Sequence, residues 1–364
     1  MSAFGGVDVS AIVLAAGRGA RMRSNVRKPL HRLAGAPMLA HVVDALSACR
    51  PDRIVVVLGP DDETVAKEMQ SRTGHLPLDV AEQSVPRGTG DAAACGLAAL
   101  PDPSGDPEAG ELIIVPGDAP LMRPATLRSL TESHLASGAA CTLLTARLSD
   151  PSGYGRIVRG RDGAVSRIVE QADASPAEAA IDEVAASVYV VRRSFCGPAL
   201  RRIRPDNAAG EFYLTDMVQV LAQMGHRVEA FSLADWTEVQ GVNNQEQLAC
   251  ARAEINRRVV EGWLRAGVAI VDPANTYLDV TVRLAAGVVL LPGVVLEGCT
   301  VVGKGAVIGP HTRLVDCAVG AEAVVEMSCG TDAEIGPRRR VGPFAVLGPA
   351  PPPYPEEGGT SCNS

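Results

Sequence analysis

Ala11-Ile-Val-Leu-Ala-Ala-Gly-Arg-Gly-Ala-Arg-Met-Arg-Ser-Asn-Val-Arg-Lys28-Pro-Leu30 is the stretch from which the fold of this 364-residue chain can be predicted. It predicts a short apolar strand that runs into a glycine-containing turn. Gly17 and Gly19 lack a Cβ atom, so the backbone can turn tightly and approach a ligand. Successive backbone N–H groups in such a turn form a concave anion site. Positive side chains surround that turn: Arg18, Arg21, Arg23, Arg27 and Lys28.

These features indicate a loop that binds a polyphosphate, although a solvated basic loop beside a buried strand would have the same composition. The spacing does not match a Walker A loop, which requires Gly-x-x-x-x-Gly-Lys-Ser/Thr. It also lacks the third glycine of the dinucleotide fingerprint, because Met22 stands there. That fingerprint also requires an acidic residue after the second strand. Asp61 and Asp62 stand at this place, so this requirement is met.

Composition restricts the possible partners. The net charge is −8, so the basic loop is a local feature of an acidic protein and general nucleic-acid binding is not expected. Mean hydropathy is +0.12, and no apolar run reaches the roughly 18–20 residues of a membrane span. The first residues do not resemble a signal peptide. Nine cysteines without a Cys-x-x-Cys pair are expected to be mainly reduced. We therefore expect a cytoplasmic protein that does not bind membranes.

Between about residues 10 and 250, apolar β-rich runs alternate with helical stretches. This alternation predicts a Rossmann-like α/β domain with a mainly parallel sheet, and ligands at the carboxyl ends of its strands. The predicted strands are 11–15, 53–58, 112–115, 141–146 and 184–191. The predicted helices are 37–48, 61–70, 90–100, 124–136, 213–224 and, after this domain, 245–264.

After residue 250 an aliphatic residue followed by glycine recurs in a six-residue register, which begins with Val302-Gly and Ile308-Gly. The pattern resumes at Val319-Gly, and again at Ile335-Gly and Val341-Gly, which are also six residues apart. This hexapeptide repeat predicts a short left-handed parallel β-helix, whose turns must stack to bury their apolar face. The expected organisation is a first domain over 1–250, a linker helix over 251–267, the β-helix over 268–348 and a disordered Pro/Gly-rich tail over 349–364.

Several polar residues stand where strands or glycine turns would expose them. Asp118 follows the strand 112–115 and supplies a hard oxygen ligand suited to Mg²⁺, or it only caps a turn. Gln83 precedes Gly88-Thr89-Gly and could pair with a base edge through both its donor and its acceptor. Further polar or glycine clusters contain Gly155, Glu170, Thr215 and Asn243. Taken alone, each of these residues is more often part of a turn or a helix cap than of a binding site.

Taken together, the segments are similar to those of a known family. Leu-Ala-Ala-Gly-x-Gly-x-Arg-Met followed by Lys-Pro-Leu-His resembles the signature loop of sugar-phosphate nucleotidyltransferases. The later segments Gly-Thr-Gly, Gly-Asp-Ala-Pro-Leu, Gly-Tyr-Gly-Arg-Ile, Glu-Phe-Tyr-Leu-Thr-Asp and Gly-Val-Asn-Asn narrow this resemblance. They resemble the bifunctional N-acetylglucosamine-1-phosphate uridyltransferase / glucosamine-1-phosphate acetyltransferase family.

The resemblance implies synthesis of UDP-N-acetylglucosamine, a peptidoglycan precursor, from UTP and N-acetylglucosamine 1-phosphate, with release of pyrophosphate. It implies Arg21 and Lys28 as catalytic residues, Asp118 and Asn243 as Mg²⁺ ligands, and a homotrimer formed through the β-helix. The implied sugar contacts are Gly155, Glu170, Ala185 and Thr215. The implied nucleotide contacts are Leu14, Ala15, Ala16, Gly17, Gly19, Gln83, Gly88 and Thr89.

Three positions depart from the family pattern. Ala185 replaces an asparagine that contacts the sugar, so another hexose 1-phosphate is possible. Asp91 replaces the histidine after Gly-Thr-Gly. Gly348 replaces an arginine of the acetyltransferase site, whose other residues fall beyond residue 364, and we therefore expect this activity to be absent. Two alternatives stay open: a nucleotidyltransferase for another sugar 1-phosphate or dTTP, and a catalytically silent regulatory paralogue.

Overall fold

The computed structural model describes residues 4, 6–60, 62–72, 78–101 and 109–349, and the chain forms two compact units. The first unit comprises residues up to His31 together with Met38–Gln245, and the second comprises Arg32–Pro37 with the chain from Glu246 onward. The main division therefore falls between residues 245 and 246, and the whole of the predicted linker helix, 251–267, belongs to the second unit.

The first unit is built on a nine-stranded sheet, in which the main path runs β11-β7-β10-β6-β1-β4-β5. The strands up to this point in the chain are β1 Val9–Leu14, β2 Arg32–Leu33, β3 Ala36–Pro37, β4 Arg53–Leu58, β5 Leu78–Glu82, β6 Glu111–Pro116, β7 Cys141–Arg147, β8 Arg156–Arg159, β9 Val165–Val169, β10 Glu183–Arg192 and β11 Val228–Ser232. The pair β2 and β3 forms a separate hairpin that belongs to the second unit.

Strand direction explains where ligands can bind. The central strand β1 pairs in parallel with both β4 and β6, and β4 pairs in parallel with β5. Their carboxyl ends therefore meet at one edge of the sheet, which is the ligand-binding edge of α/β folds. The long strand β10 runs antiparallel to β6 and β7. The α/β prediction is confirmed, with β10 and its partners β8 and β9 as the antiparallel part of the mainly parallel sheet.

Helices of the first unit follow the strands and bury apolar side chains against them. Ile12, Val57, Ile114 and Leu143 are buried in one cluster with side chains from the helices, which makes this the core of the unit. The helices of the whole chain are α1 Met38–Ser47, α2 Glu63–Arg72, α3 Thr89–Ala99, α4 Pro124–Ser137, α5 Pro176–Ala179, α6 Arg193–Leu200, α7 Asp216–Gln223 and α8 Gln245–Arg265. Short 3-10 helices cover Ala20–Met22, Lys28–Leu30, Trp236–Val239 and Pro273–Asn275.

The second unit contains α8, the hairpin β2–β3 and three small parallel sheets of four or five strands. Each sheet takes every third strand, so the chain winds through all three faces in turn. The strands are β12 Ala269–Ile270, β13 Tyr277–Leu278, β14 Arg283–Leu284, β15 Val289–Leu290, β16 Val295–Glu297, β17 Val301–Val302, β18 Val307–Ile308, β19 Arg313–Val315, β20 Ala318–Val319, β21 Val324–Val325, β22 Cys329–Thr331, β23 Glu334–Ile335, β24 Arg340–Val341 and β25 Val346–Leu347.

The repeat residues of the sequence form the interior of this β-helix. Leu290, Ile308 and Val325 occupy equivalent register positions on consecutive turns and are fully buried. Because each turn presents only a few apolar side chains, burial requires the turn above and the turn below. The hexapeptide prediction of a left-handed parallel β-helix is confirmed in its position and its stacking.

Predicted elements agree with the structure to within a few residues in most cases. The strand predicted at 53–58 has those limits, whereas the helix predicted at 213–224 begins only at Asp216. Sequence patterning missed the strands β2, β3, β5, β8, β9 and β11 and the helices α5 and α6, all of which are short elements. Residues 350–364 of the predicted tail and Asp61 lie outside the described residues.

Two further expectations concern cysteines and membranes. Seven cysteines are free thiols: Cys49, Cys95, Cys141, Cys196, Cys250, Cys317 and Cys329. Cys299 is disulfide-bonded, so the expectation of reduced thiols is wrong there. Among the described helices, none has the length and apolar character needed to cross a membrane.

Candidate active site

The predicted phosphate loop leaves the central strand of the first unit. Backbone hydrogen bonds hold its first residues to both neighbouring strands, with Ala15 N donating to Val57 O at 2.9 Å and Gly117 N donating to Leu14 O at 2.8 Å. The segment Leu14–Ala16 is therefore fixed at the carboxyl end of the sheet. Gly117 permits this approach, because a Cβ there would lie 2.9 Å from the Ala15 Cβ.

The two glycines of the loop have different local roles. Gly19 has φ +65°, and a Cβ there would lie 2.6 Å from the Lys28 Cβ, so glycine lets Lys28 pack against the turn. A Cβ at Gly17 would meet no atom within 4 Å, which leaves open space on that side of the loop. Of the five basic residues, Arg27 serves the fold, since its Nε donates to the buried Asp62 carboxylate at 2.5 Å.

Lys28 is the centre of a cluster that unites three distant segments. Its Nζ donates to Asp118 Oδ2 at 2.5 Å and to Asn243 Oδ1 at 2.8 Å. Arg21 Nη2 donates to the same Asn243 oxygen at 3.0 Å. The four residues predicted as catalytic or metal-binding are thus brought within hydrogen-bond distance of one another, although Arg21 and Asn243 are 222 positions apart in the chain.

Backbone pairing delivers Asn243 to this cluster. Val242 N donates to Asp118 O at 2.8 Å, which aligns the segment before α8 with the turn after β6. Gly241 lies beside both residues, since a Cβ there would be 3.5 Å from the Asn243 amide nitrogen and 3.7 Å from Asp118 Oδ1. The oxygens of Asp118 and Asn243 consequently face the same point, which the Lys28 ammonium occupies.

The donor set of this cluster suits a hard divalent cation. A carboxylate and an amide oxygen are ligands that Mg²⁺ accepts from proteins, with substrate phosphates completing its shell. In this structure the Lys28 ammonium donates to both of these oxygens. Lys28 is 13% exposed and Asp118 is 26% exposed, so the charges are partly shielded from water and interact more strongly than surface pairs.

The residues predicted to read a base lie at the end of β5 and the start of α3. Gln83 is only 4% exposed, and its Nε2 donates to Gly88 O at 3.1 Å and to Asp91 Oδ2 at 2.8 Å. The expectation that Gln83 offers both a donor and an acceptor is wrong in this structure, because both amide hydrogens are used within the protein. Thr89 supports the backbone, with its Oγ1 accepting from Leu214 N at 2.9 Å.

The four residues predicted to contact a sugar also converge. Thr215 Oγ1 donates to Glu170 Oε1 at 3.0 Å. A Cβ at Gly155 would lie 3.5 Å from the same Glu170 oxygen, and Ala185 N donates to Gly155 O at 2.8 Å. Ala185 is 4% exposed and its side chain belongs to the apolar core.

Burial and neighbouring negative charges raise the pKa values of acidic groups in this pocket. Burial raises the pKa of Glu170, and the Thr215 hydrogen bond only partly offsets this. Burial and the charges of Glu170 and Asp173 raise the pKa of Asp216 to about 6. Burial, followed by the charge of Asp118, raises the pKa of Tyr154. Glu170, Asp173 and Asp216 together make this pocket acidic.

Arg156 is a functional candidate that pattern reasoning did not single out. It is buried at 1% exposure, and its guanidinium donates to Gln171 Oε1 at 2.7 Å and to the carbonyl of Tyr154. These bonds tie the loop containing Gly155 to the segment after Glu170. The Gly-Tyr-Gly-Arg-Ile segment that contains it was the signal that could have identified it.

A cationic glycine loop that shares its lysine with a carboxylate from β6 is suited to transfer of a nucleotide from its triphosphate. Residues 11–218 match the family model described as a MobA-like NTP transferase domain, which covers more than half of the chain. The protein is thus an enzyme of the nucleotidyltransferase class.

Curated relatives extend the match into the second unit. The chain is 46% identical over 345 residues to the bifunctional protein GlmU of Mycolicibacterium vanbaalenii, covering 94% of this chain and 69% of that protein. It is 45% identical over the same length to GlmU of Mycobacterium bovis, with the same coverage. The chain belongs to the GlmU family.

Proposed function

We propose that this protein transfers a uridylyl group from UTP to N-acetylglucosamine 1-phosphate, producing UDP-N-acetylglucosamine and pyrophosphate. The observation that carries this proposal is the convergence of Arg21, Lys28, Asp118 and Asn243 at the carboxyl edge of the sheet. A base reader at Gln83 and an acidic pocket at Glu170 and Thr215 provide the two further recognition elements that such a reaction needs.

The chemistry requires alignment and charge neutralisation more than a strong base. A phosphate oxygen of the sugar 1-phosphate attacks the α-phosphorus of UTP, and the bond from that phosphorus to the bridging oxygen breaks to release pyrophosphate. Both reactants are anions, so cationic groups fixed at the reacting centre lower the barrier. In this proposal Lys28 neutralises phosphate charge at the centre, and Arg21 binds the triphosphate beside the Gly17–Gly19 turn.

We also propose that Asp118 and Asn243 hold Mg²⁺. Their oxygens support this, because they face one point and accept hydrogen bonds from the Lys28 ammonium. When bound, the metal would supply positive charge to the phosphates and the leaving pyrophosphate. Lys28 would then direct its ammonium to the phosphates. Removal of Mg²⁺ by EDTA should abolish turnover, and re-addition should restore it.

Ala185 affects which sugar 1-phosphate the site can bind. Ala185 has no polar group and lies in the core, so a contact that an asparagine would make is missing. Pyrophosphate release should be measured for UTP, dTTP and CTP with N-acetylglucosamine, glucose and glucosamine 1-phosphates, using Asp118→Asn as the inactive control. The proposal fails if N-acetylglucosamine 1-phosphate is no better than glucose 1-phosphate with UTP.

We also propose that the protein forms a homotrimer through its β-helix. Large apolar side chains are exposed on the second unit, among them Tyr277, Val301, Phe344 and Val346. Tyr277 and Val346 belong to the same sheet of the β-helix. Such exposure is typical of an interaction surface. Light scattering coupled to size exclusion should give three times the chain mass, and Val346→Asp should reduce it.

The absence of acetyltransferase activity stays a prediction, because the relatives are named bifunctional. The structure adds one observation to it. Gly348 has φ +69°, and a Cβ there would lie 2.0 Å from the Thr331 carbonyl oxygen. No side chain fits this backbone, whereas the family pattern has an arginine. Coenzyme A release from acetyl-CoA with glucosamine 1-phosphate tests the prediction directly.

A further inference from the structure

Asp91 departs from the family pattern, and the structure shows what its carboxylate contacts. Asp91 Oδ2 accepts a hydrogen bond from Gln83 Nε2 at 2.8 Å. Asp91 lies in the first turn of α3, where the helix N-terminus stabilises a negative charge. The carboxylate is therefore held in place by the helix while it contacts the side chain predicted to read the base.

The amide of Gln83 can take only one orientation between its two partners. Its nitrogen carries two hydrogens, one bonded to Asp91 Oδ2 and the other to Gly88 O at 3.1 Å. Both partners are acceptors. A rotation of the amide by 180° would point Oε1 at a carboxylate and a carbonyl, so both bonds would be replaced by repulsion. Since the side chain is 4% exposed, water cannot easily replace the lost bonds.

Orientation matters because glutamine alone is ambiguous toward pyrimidines. A free amide can accept from the N3–H of uracil, or turn and donate to the N3 lone pair of cytosine. Here both hydrogens are used within the protein, and the atom left for a ligand is the acceptor Oε1. An acceptor at this place pairs with the N3–H of uracil and meets a second lone pair at the N3 of cytosine.

We propose that Asp91 is a specificity-determining positioning residue, which locks the Gln83 amide so that the site accepts uracil and thymine nucleotides and rejects cytosine nucleotides. This inference rests on the proposed function for the identity of the site. The rigid backbone around Gln83 supports it, because Phe212 N donates to Arg87 O at 2.8 Å and Gly90 N donates to Phe212 O at 2.7 Å. The acceptor Gly88 O therefore cannot move away to relieve an amide rotation.

The test compares UTP and CTP on the wild-type protein and on Asp91→Asn. Asparagine can donate to a turned Gln83 Oε1, which offsets the repulsion from Gly88 O, so the turned amide costs less than in wild type. We expect the ratio of kcat/KM for UTP to that for CTP to fall about 10- to 100-fold. The change should appear in the KM of the nucleotides, while kcat with UTP and KM for the sugar phosphate stay within about twofold of wild type.

Glu82→Gln is the matched control, because it removes an exposed carboxylate next to Gln83 without touching the amide. If both variants weaken UTP and CTP equally, Asp91 acts only through its charge and the proposal is overturned. An unchanged UTP to CTP ratio in Asp91→Asn overturns it as well.

Calorimetric binding of UTP and CTP to the full chain, without any sugar, separates this inference from the proposed function. If wild type turns over no sugar 1-phosphate yet binds UTP at least tenfold more tightly than CTP, and Asp91→Asn loses that preference, the inference stands while the proposed reaction fails. If wild type binds both nucleotides equally, the inference fails whatever the turnover.

Discussion

Lys28 is the residue whose contacts distinguish the candidate active site from an ordinary basic loop. Its ammonium is bound by Asp118 and Asn243, which come from segments far apart in the chain. The burial of this pair leaves little water to screen the charges. Gly155 has a comparable role in the acidic pocket, because its missing Cβ leaves room beside Glu170. Two residue-scale predictions follow from these contacts.

Replacing Lys28 by methionine removes the positive charge and keeps most of the side-chain volume. We expect kcat/KM for the uridylyl transfer to fall about 10²- to 10³-fold, because one fixed charge at the reacting phosphates is lost. Pyrophosphate release at saturating Mg²⁺ measures this. Lys67→Met is the control, since Lys67 is an exposed residue of α2 paired only loosely with Glu63 at 3.7 Å. Equal activity of both variants would contradict the proposed role.

Gly155→Ala places a Cβ 2.7 Å from Ile168 Cγ2 and 3.5 Å from Glu170 Oε1. The pocket must shift to accept it, and we expect KM for the sugar 1-phosphate to rise about tenfold, equivalent to about 1.4 kcal/mol. KM for UTP should change little. Gly262→Ala in α8 is the matched control, because its new Cβ meets no atom within 4 Å. A rise in KM for UTP alone would show that Gly155 belongs to a different subsite.

At the scale of elements, the start of α3 is fixed to the segment before α7. Backbone bonds join Arg87 and Gly90 to Phe212, and Thr89 Oγ1 accepts from Leu214 N. The segment 212–215 also carries Thr215 of the acidic pocket. The loop proposed to read the base and the pocket proposed to bind the sugar are therefore connected through one stretch of backbone. We expect a change in this loop to affect nucleotide binding before it affects the core.

Gly88→Ala tests this connection. Gly88 has φ +111°, and a Cβ there would lie 2.6 Å from Phe212 O. We expect the loop to separate from residues 212–214 and KM for UTP to rise at least about tenfold, as for loss of about one buried hydrogen bond. Gly138→Ala is the control, since Gly138 has φ +65° at the end of α4 but open space around it. A positive φ is strained for alanine, so we expect Tm to fall in both variants. KM for UTP should change in Gly88→Ala and stay unchanged in Gly138→Ala.

At the scale of the whole molecule, two units with separate apolar cores make up the chain. The second unit buries Asp279 at one corner of the β-helix, where its Oδ2 accepts from Gly298 N at 2.8 Å. Burial raises the pKa of Asp279 to about 6. The hydrogen bond from Gly298 N is the largest opposing effect, the charges of Glu297 and Asp316 raise the pKa further, and Arg32 lowers it. This carboxyl makes the stability of the second unit depend on pH.

The sign of the dependence follows from linkage. The pKa of Asp279 is higher in the folded chain than in the unfolded chain, so protonation stabilises the fold below about pH 4, and this contribution is lost as pH rises through about 6. Asp279→Asn keeps the acceptor without the charge. We expect its Tm at pH 7.5 to exceed that of wild type by about 4 °C or more, and this excess to be smaller at pH 4.5, where only part of the contribution is lost.

Differential scanning calorimetry at the two pH values measures this effect. Glu334→Gln, which neutralises an exposed carboxylate of β23, is the control and should leave both Tm values close to wild type. A lower Tm of Asp279→Asn at pH 7.5 would show that the ionised carboxylate stabilises the corner.

Periodicity and local chemistry in the sequence determined the α/β and β-helix architecture, because strand alternation, glycine turns and the six-residue repeat are set by neighbours along the chain. Local chemistry indicated the basic loop and Asp118, and the resemblance to a known family implied the roles of Arg21, Lys28, Asp118 and Asn243. Only the tertiary structure decided that these four meet, because pairing of Val242 with Asp118 is a contact between distant segments. It likewise revealed the hydrogen bond from Gln83 to Asp91. It also showed that Arg27 is bound to the Asp62 carboxylate, so its charge is used within the fold. Which amide hydrogen or which arginine is already engaged depends on packing in three dimensions, and no local pattern records it.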